Sequence, residues 1–304
     1  MNSMNDNPTA SSDPDDGFFN RAWPWSPARR RRRALRGLQT WAIRNRDFVR
    51  QCGLSTFTFR SDGEIVVQAR NGLWMRYLPE MKRSALGVER VGQWEPLETQ
   101  LILGRLSPQA VFLDIGANCG WFSLCVGRQF PTAAVHAFEP VPQNFQSLQF
   151  NLQLNGIRNV QANNLGLWDS ASELHFTSNL GPRNFITSEA GPSSVSVQCI
   201  ELDQYVREAA LTRVDLIKCD VEGAELHVLR GAKQTLEKFQ PTVLLESEYI
   251  PAKKFGYTPV DVIQFLLERG YRYSVITDAG VKPAGPSIPQ DLALGRNILF
   301  EKAR

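Results

Sequence analysis

Histidine is scarce in this 304-residue chain, which has only His136, His175 and His227. No Ser/His/Asp or Cys/His arrangement presents itself, so nucleophilic catalysis of the hydrolase kind is not expected. His136 falls inside an apolar stretch and reads as a core or sheet-face residue. His175 lies in a polar insertion, and His227 reads as an exposed helical position. The five cysteines (52, 119, 125, 199 and 219) fall in no metal-ligand spacing. They are expected to be small buried hydrophobes in a reducing compartment. No apolar run approaches the roughly 20 residues that span a bilayer. The start, Met1 to Asn7 followed by Asp13, Asp15 and Asp16, lacks the basic-then-apolar order of a secretion signal. A cytoplasmic protein is therefore expected. Internal repeats are absent, and so is the G-x-G-x-x-G turn that a dinucleotide pyrophosphate requires.

What is present is uneven in charge. Residues 17–49 hold nine arginines, including the run Arg29–Arg33, against the single acid Asp47. With a net charge of +3, the remainder is mildly acidic. Trp23, Trp25, Leu35, Leu38 and Trp41 interleave with these arginines. Residues 17–50 can therefore dock on their own domain, or touch a membrane surface or a protein partner. Specific nucleic-acid recognition is not expected. Residues 1–16 have the composition of a disordered segment, 17–53 form the basic extension, 54–106 a small β/α prelude and 107–304 the main domain. Period-two alternation across 54–78, with Ser61-Asp-Gly63 as a turn, predicts antiparallel strands, and a helix is expected over about 95–106.

From Val111 onward strand and helix patterns alternate, as in an α/β doubly wound sheet. Strands are expected at 111–115, 134–138, 160–162, 214–218, 242–246, 271–276 and 297–300, with shorter ones near 174–176 and 194–200. Helices are expected at about 121–130, after Pro140 up to a stop at Asn155-Gly156, and at about 224–238 and 259–268. The most informative stretch is Val111-Phe-Leu-Asp-Ile-Gly-Ala-Asn-Cys-Gly120, with Glu139 closing the next apolar run. An acid, a glycine turn and a second acid at the following strand end suit a nucleoside-type cofactor. Asn118 stands where a dinucleotide turn has its middle glycine, which favours S-adenosylmethionine. Asp114 is suited to its ammonium group, the turn amides to its carboxylate and Glu139 to its ribose hydroxyls. Gly116, Asn118, Gly120, Phe138, Pro140, Asn164 and Gly166 complete the expected cofactor set. Phe138, Pro140 and the 163–166 turn are placed near the adenine.

Downstream, Lys218-Cys-Asp-Val-Glu-Gly-Ala-Glu225 ends a strand in acids. A carboxylate at this edge can orient an acceptor hydroxyl and take its proton. Asp220 and Glu222 are both candidates, with Lys218 on the same strand face as Asp220. Alternatively, Glu222 and Glu225 serve the first turn of the next helix. Glu246 is expected to line the acceptor pocket, and Arg183 to select the acceptor from the polar 166–194 insertion. With Glu248 these acids make an oxygen-rich edge, but nothing in the spacing demands a metal, and none is assigned.

Together, residues 112–120, Ala137-Phe-Glu-Pro140 with Asn144, Phe145, Leu148, Asn151 and Leu154-Asn155, the block 217–225 with Val228-Leu-Arg-Gly231, and Glu246 resemble the FkbM-type family of S-adenosylmethionine-dependent methyltransferases. The resemblance covers roughly 95–302. It implies a Rossmann-like class I methyltransferase sheet, mostly parallel with an antiparallel last strand. It further implies S-adenosylmethionine as cofactor and O-methylation of a hydroxyl on a sugar, glycolipid or secondary metabolite. A catalytically silent scaffold acting through the basic N-terminus is the alternative reading. An NAD-dependent oxidoreductase is less favoured, because the one Tyr-x-x-x-Lys spacing, Tyr249 to Lys253, contains Pro251.

Overall fold

The structure is a computed structural model describing residue 40 and residues 54–61, 63–77, 95–177, 186–187, 191, 194–247, 252–277, 279–284 and 296–302. The expected disordered segment, the basic extension apart from residue 40, Arg183 and Glu248 lie outside the described residues.

The prelude is a three-stranded antiparallel sheet of β1 (Leu54–Phe59), β2 (Ile65–Ala69) and β3 (Trp74–Arg76). Its first turn closes as expected, with the Gly63 N–H donating to the Arg60 carbonyl at 3.2 Å. Helix α1 (Pro96–Arg105) leads into β4 (Val111–Ile115), α2 (Trp121–Gln129), β5 (Ala134–Phe138), α3 (Pro142–Leu154) and β6 (Val160–Asn163). An insertion then builds β7 (Gly166–Leu167), β8 (Ser172–Thr177), β9 (Ile186–Thr187) and β10 (Ser194–Ile200), which form their own sheet in the order β7-β10-β8-β9. The chain resumes with α4 (Leu202–Glu208), β11 (Leu216–Cys219), α5 (Glu225–Arg230), α6 (Lys233–Phe239), β12 (Thr242–Ser247), α7 (Pro259–Leu267), β13 (Tyr271–Thr277), β14 (Gly280–Pro283) and β15 (Arg296–Lys302).

The main sheet has eight strands in the order β14-β13-β15-β12-β11-β4-β5-β6. Strands β12, β11, β4, β5 and β6 are parallel neighbours, while β15 runs antiparallel to both β12 and β13. The fold is thus α/β, with a mixed and mostly parallel sheet. Successive strand residues face opposite sides. Val111, Leu113, Ile115, Ile217, Cys219, Val243 and Leu245 join the core shared with residues of α4 to α7. Their alternates face the other side, where α2 buries Trp121, Phe122 and Ser123. Cys119, Cys125, Cys199 and Cys219 are free and buried.

Two sequence expectations need correction. The helix expected over 224–238 is broken into α5 and α6. A Cβ on Gly231 would stand 2.1 Å from the Trp168 carbonyl oxygen, so the chain turns there against the inserted sheet. Leu226, Leu229, Ala232 and Leu236 nonetheless all reach the core. The strand expected over 214–218 is displaced to β11, although Val214 is still buried. No helix among the described residues is long and apolar enough to cross a membrane.

Candidate active site

Neighbours β4 and β11 are where the strand order reverses, because the chain leaves β4 toward β5 on one side and β11 toward β12 on the other. In open parallel sheets such a switch point opens a crevice at the carboxyl edge. Gly116 follows β4 with φ 75°, and a Cβ there would meet the Asp220 carbonyl oxygen at 1.8 Å. Gly120, at φ 90°, caps α2, and a Cβ there would meet Leu148 at 2.4 Å. Only glycine combines that backbone with that proximity. Between them Asn118 also holds a positive φ of 53°.

The turn amides are largely spent inside the protein. Gly116 and Ala117 donate to the Phe138 carbonyl at 3.0 and 2.9 Å, and Gly120 donates to Ala117 at 2.8 Å. Asn118 donates to Glu139 Oε2 at 2.8 Å. The expectation that these amides await a ligand carboxylate is therefore corrected. Their ordering comes from β5 and Glu139.

Glu139 is almost fully buried, and burial pushes its carboxyl up to about 7. Its Oε1 accepts the Val141 N–H at 2.9 Å and an Asn144 Nδ2 contact at 3.4 Å. Asp114 is fully buried and raised by desolvation. Its Oδ2 accepts both the Ser123 N–H at 3.1 Å and the Ser123 hydroxyl at 2.6 Å. Part of the role foreseen for it is thus taken by the first turn of α2. Among the described residues, the other oxygen, Oδ1, is buried without a partner, as is Oδ1 of Asn144.

Three expected cofactor residues are placed otherwise. Phe138 shares a sheet face with Leu113 and Ile115, and its ring packs edge-on against Tyr205 at 4.7 Å. That ring is core, not pocket wall. Gly166 is buried in the inserted sheet, where a Cβ would lie 2.5 Å from Cys199 Sγ. Asn164 spends its Nδ2 on the carbonyls of Glu139 and Pro140, both at 2.9 Å, and so ties down the loop after β5. Pro140 is half-buried at that loop.

Across the switch point lies a polar row. Lys218 is paired in register with Asp114, and Glu246 with Asn297. Lys218 is buried, its Nζ 3.1 Å from Asp220 Oδ2, 3.4 Å from the Gly116 carbonyl and over the Phe122 ring. Burial alone would lower its pKa, but Asp220, Asp114 and Glu95 outweigh that and raise it. Asp220 is a quarter exposed. Desolvation opposes its charge, yet Lys218 and a hydrogen bond from Glu246 hold it below its ordinary value. A contact between two carboxyl groups needs one proton between them. Asn297 donates to Glu98 of α1 at 2.8 Å.

Glu222 sits in a left-handed conformation at φ 54°, beside Gly223 at φ 99°. Glu225 Oε1 accepts the N–H groups of Val221 and Gly223 at 3.2 and 3.1 Å, and burial pushes its carboxyl up to about 7. The Tyr257 hydroxyl donates to the Gly223 carbonyl and accepts the Leu226 N–H. Glu225 is thus the acid that secures this loop. His227, expected to be exposed, is instead stacked on Trp168 at 3.8 Å and paired with Asp169 at 2.6 Å. His136 is buried against the Tyr205 hydroxyl at 2.8 Å, as expected. Among the described residues no group of three or more His, Cys, Asp or Glu side chains is arranged to hold a metal ion.

Ser123, Asn144, Tyr257, Glu95 and Asn297 were not foreseen. Of these only Asn144 stood inside a recognised motif.

This crevice lies at the carboxyl edge of a doubly wound α/β sheet, where open parallel sheets place their ligands. Residues 114–273 match the family described as the methyltransferase FkbM domain, and the chain belongs to that family. It is 33% identical over 178 residues to methyltransferase sdnD of Sordaria araneosa, covering 48% of this chain and 69% of that protein. It is 26% identical over 219 residues to 2-O-methyltransferase NoeI of Sinorhizobium fredii, covering 65% and 87%. To hexuronic acid methyltransferase AglP of Haloferax volcanii it is 27% identical over 169 residues, covering 56% and 66%.

Proposed function

We propose that this protein transfers a methyl group from S-adenosylmethionine to a hydroxyl oxygen of a sugar or a hydroxylated secondary metabolite. The observation that carries the reading is the opposition across one crevice of Glu139, with the glycine turn, and the Lys218–Asp220–Glu246 row. The residues fit that cofactor. Buried acceptors at Asp114 and Asn144, without partners among the described residues, suit hydrogen-bond donors such as an ammonium group and ribose hydroxyls. When bound, S-adenosylmethionine supplies an electrophilic methyl carbon on a departing sulfur.

Asp220 is the group we assign to the acceptor. Held ionised by Lys218, it accepts a hydrogen bond from the acceptor hydroxyl, aims the oxygen and takes its proton as the new C–O bond forms. Glu246 shares the polar row with Asp220, and Glu222 is carried on the strained loop beside it. Strain of this kind gathers at sites where a side chain must be aimed. Arg183, outside the described residues, remains our proposed selector of the acceptor. The names of NoeI and AglP, a 2-O-methyltransferase and a hexuronic acid methyltransferase, favour a carbohydrate acceptor.

Calorimetry with S-adenosylhomocysteine and with NAD, followed by a radiolabelled-donor screen over monosaccharides, hexuronic acids and hydroxylated metabolites, tests the proposal. Binding of the first ligand alone is expected. Asp220→Asn should lower turnover about a hundredfold or more while the affinity for S-adenosylhomocysteine holds. Heat with neither ligand would leave the scaffold reading standing.

A further inference from the structure

Lys218, Leu244 and Leu299 stand in register across β11, β12 and β15, and one step nearer the carboxyl edge stand Asp220, Glu246 and Asn297. Residues two apart on a strand share a face, so these three project from one side of the sheet. The ladder continues through Asp220, whose N–H donates to the Ile115 carbonyl at 3.1 Å. Neighbouring strands lie about 4.8 Å apart, so the row is about 10 Å long. All three residues are half-buried, which leaves the row open to a ligand.

Helix α1 closes the β15 end of this row. Glu98 Oε1 accepts from Asn297 Nδ2 at 2.8 Å, and Asn297 keeps its amide oxygen as an acceptor. Trp121 Nε1 donates to Thr99 Oγ1 at 3.1 Å, and Arg105 Nε donates to Glu301 of β15 at 3.0 Å. The helix is thereby tied to α2 at one end and to β15 at the other, so Glu98 is held beside the row.

The row is rich in acceptors and poor in positive charge. Asp220 is held ionised, and Glu246 donates to it. Among the described residues its cation is Lys218, which is spent beneath on Asp220 and the Gly116 carbonyl. A separate observation points the same way. Asp114, in register with Lys218 on the same sheet face, is fully buried, and its Oδ1 has no partner among the described residues. It too calls for a donor from a ligand.

We infer that Glu98 and Asn297 belong to the acceptor subsite, and that the row they complete selects a polyhydroxylated acceptor that is uncharged or amine-bearing over one that carries an anionic group. This rests on the methyl-transfer reading and adds the charge class of its substrate. A sugar hydroxyl or ammonium group donates to a carboxylate or to the Asn297 oxygen. An anionic substituent brought against Glu98 gives up its water, meets like charge and gains no free cation in exchange among the described residues.

Radiolabelled methyl transfer to matched acceptors tests the inference: methyl glucoside against methyl glucuronide, and methyl galactoside against methyl galacturonide. The members of each pair differ only at C6. For whichever pair is turned over, kcat/KM should be at least about tenfold higher for the uncharged member. The gap should narrow in about 0.5 M sodium chloride, which screens a partly exposed charge. Glu98→Gln keeps an oxygen for Asn297 and removes the charge, so kcat/KM for the uronide should rise about tenfold relative to the glycoside, chiefly through KM. An unchanged ratio in this variant overturns the inference. So does a wild type that methylates uronide and glycoside equally, a comparison that stands even if the variant does not fold and that leaves methyl transfer to sugars intact. Binding of S-adenosylhomocysteine without turnover of either pair overturns the sugar reading and the inference with it. A wild type that does not bind S-adenosylhomocysteine overturns methyl transfer itself.

Discussion

Gly116 and Asp220 touch through their backbones, the glycine Cα lying so close that an added methyl would enter the Asp220 carbonyl oxygen at 1.8 Å. This contact joins the loop after β4 to the loop after β11 and sets the width of the crevice. Gly116→Ala would need both a left-handed alanine and a parting of the two loops. A loss of about 2 kcal/mol or more is expected in urea unfolding, with S-adenosylhomocysteine binding abolished. An unchanged midpoint would show that the crevice is set elsewhere.

Glu139 orders the glycine turn through Asn118 and the start of α3 through Val141. Glu139→Ala should therefore weaken S-adenosylhomocysteine at least tenfold, since one substitution removes the proposed ligand contact and loosens the turn. Calorimetry at matched ionic strength is the measurement. Glu139→Gln, which keeps one acceptor oxygen, should fall between the two.

Stability should decline as pH rises from about 5 to 8. Burial pushes both Glu139 and Glu225 up to about 7 from a usual value near 4.5. The folded chain thus binds protons in that interval that the unfolded chain has released. The stabilising contribution is whole below the unfolded value and is lost on passing the folded one, at about 1.4 kcal/mol per pH unit for each group as an upper figure. Glu225→Gln keeps an oxygen for the Val221 and Gly223 N–H groups but cannot ionise. Unfolding curves at pH 5, 6, 7 and 8 should show a shallower decline for this variant than for the wild type.

Lys218 is a buried cation bonded to Asp220 at 3.1 Å and held by the charges of Asp114 and Glu95. Lys218→Met would leave those carboxylates facing one another. Breaking a buried pair by removing one partner costs about 3–5 kcal/mol. The melting temperature should fall sharply at pH 7 and recover in part at pH 5, where the acids take up protons. A variant as stable as the wild type at both values would show that the carboxylates relax into water.

Much of the fold was legible because alternation and helical spacing are local properties. The strands from Val111 to Phe138 and the acid-ended edge at Asp220 and Glu246 could be read directly. The misplacements share one cause, contact between segments distant in sequence. Phe138 looked like a wall for adenine, yet its parity with Leu113 and Ile115 turns it toward Tyr205, a residue 67 positions further on. Gly231 divides a helix that its apolar spacing would continue, because Trp168 arrives from the inserted sheet. The turn amides looked available because nothing near Gly116 announces that the carbonyl of Phe138 will take two of them.

The small sheet of residues 54–77 is held to α3 by Asn151 and Asn155, and the same Asn151 amide that receives Arg76 also grips Cys119 in the glycine turn. That amide works as a tie-rod between an appendage and the most demanding bend in the chain. Stripping away the three prelude strands would release one end of it, and the bend would feel the slack. What looks like ornament at the amino-terminal side is, mechanically, part of the vise.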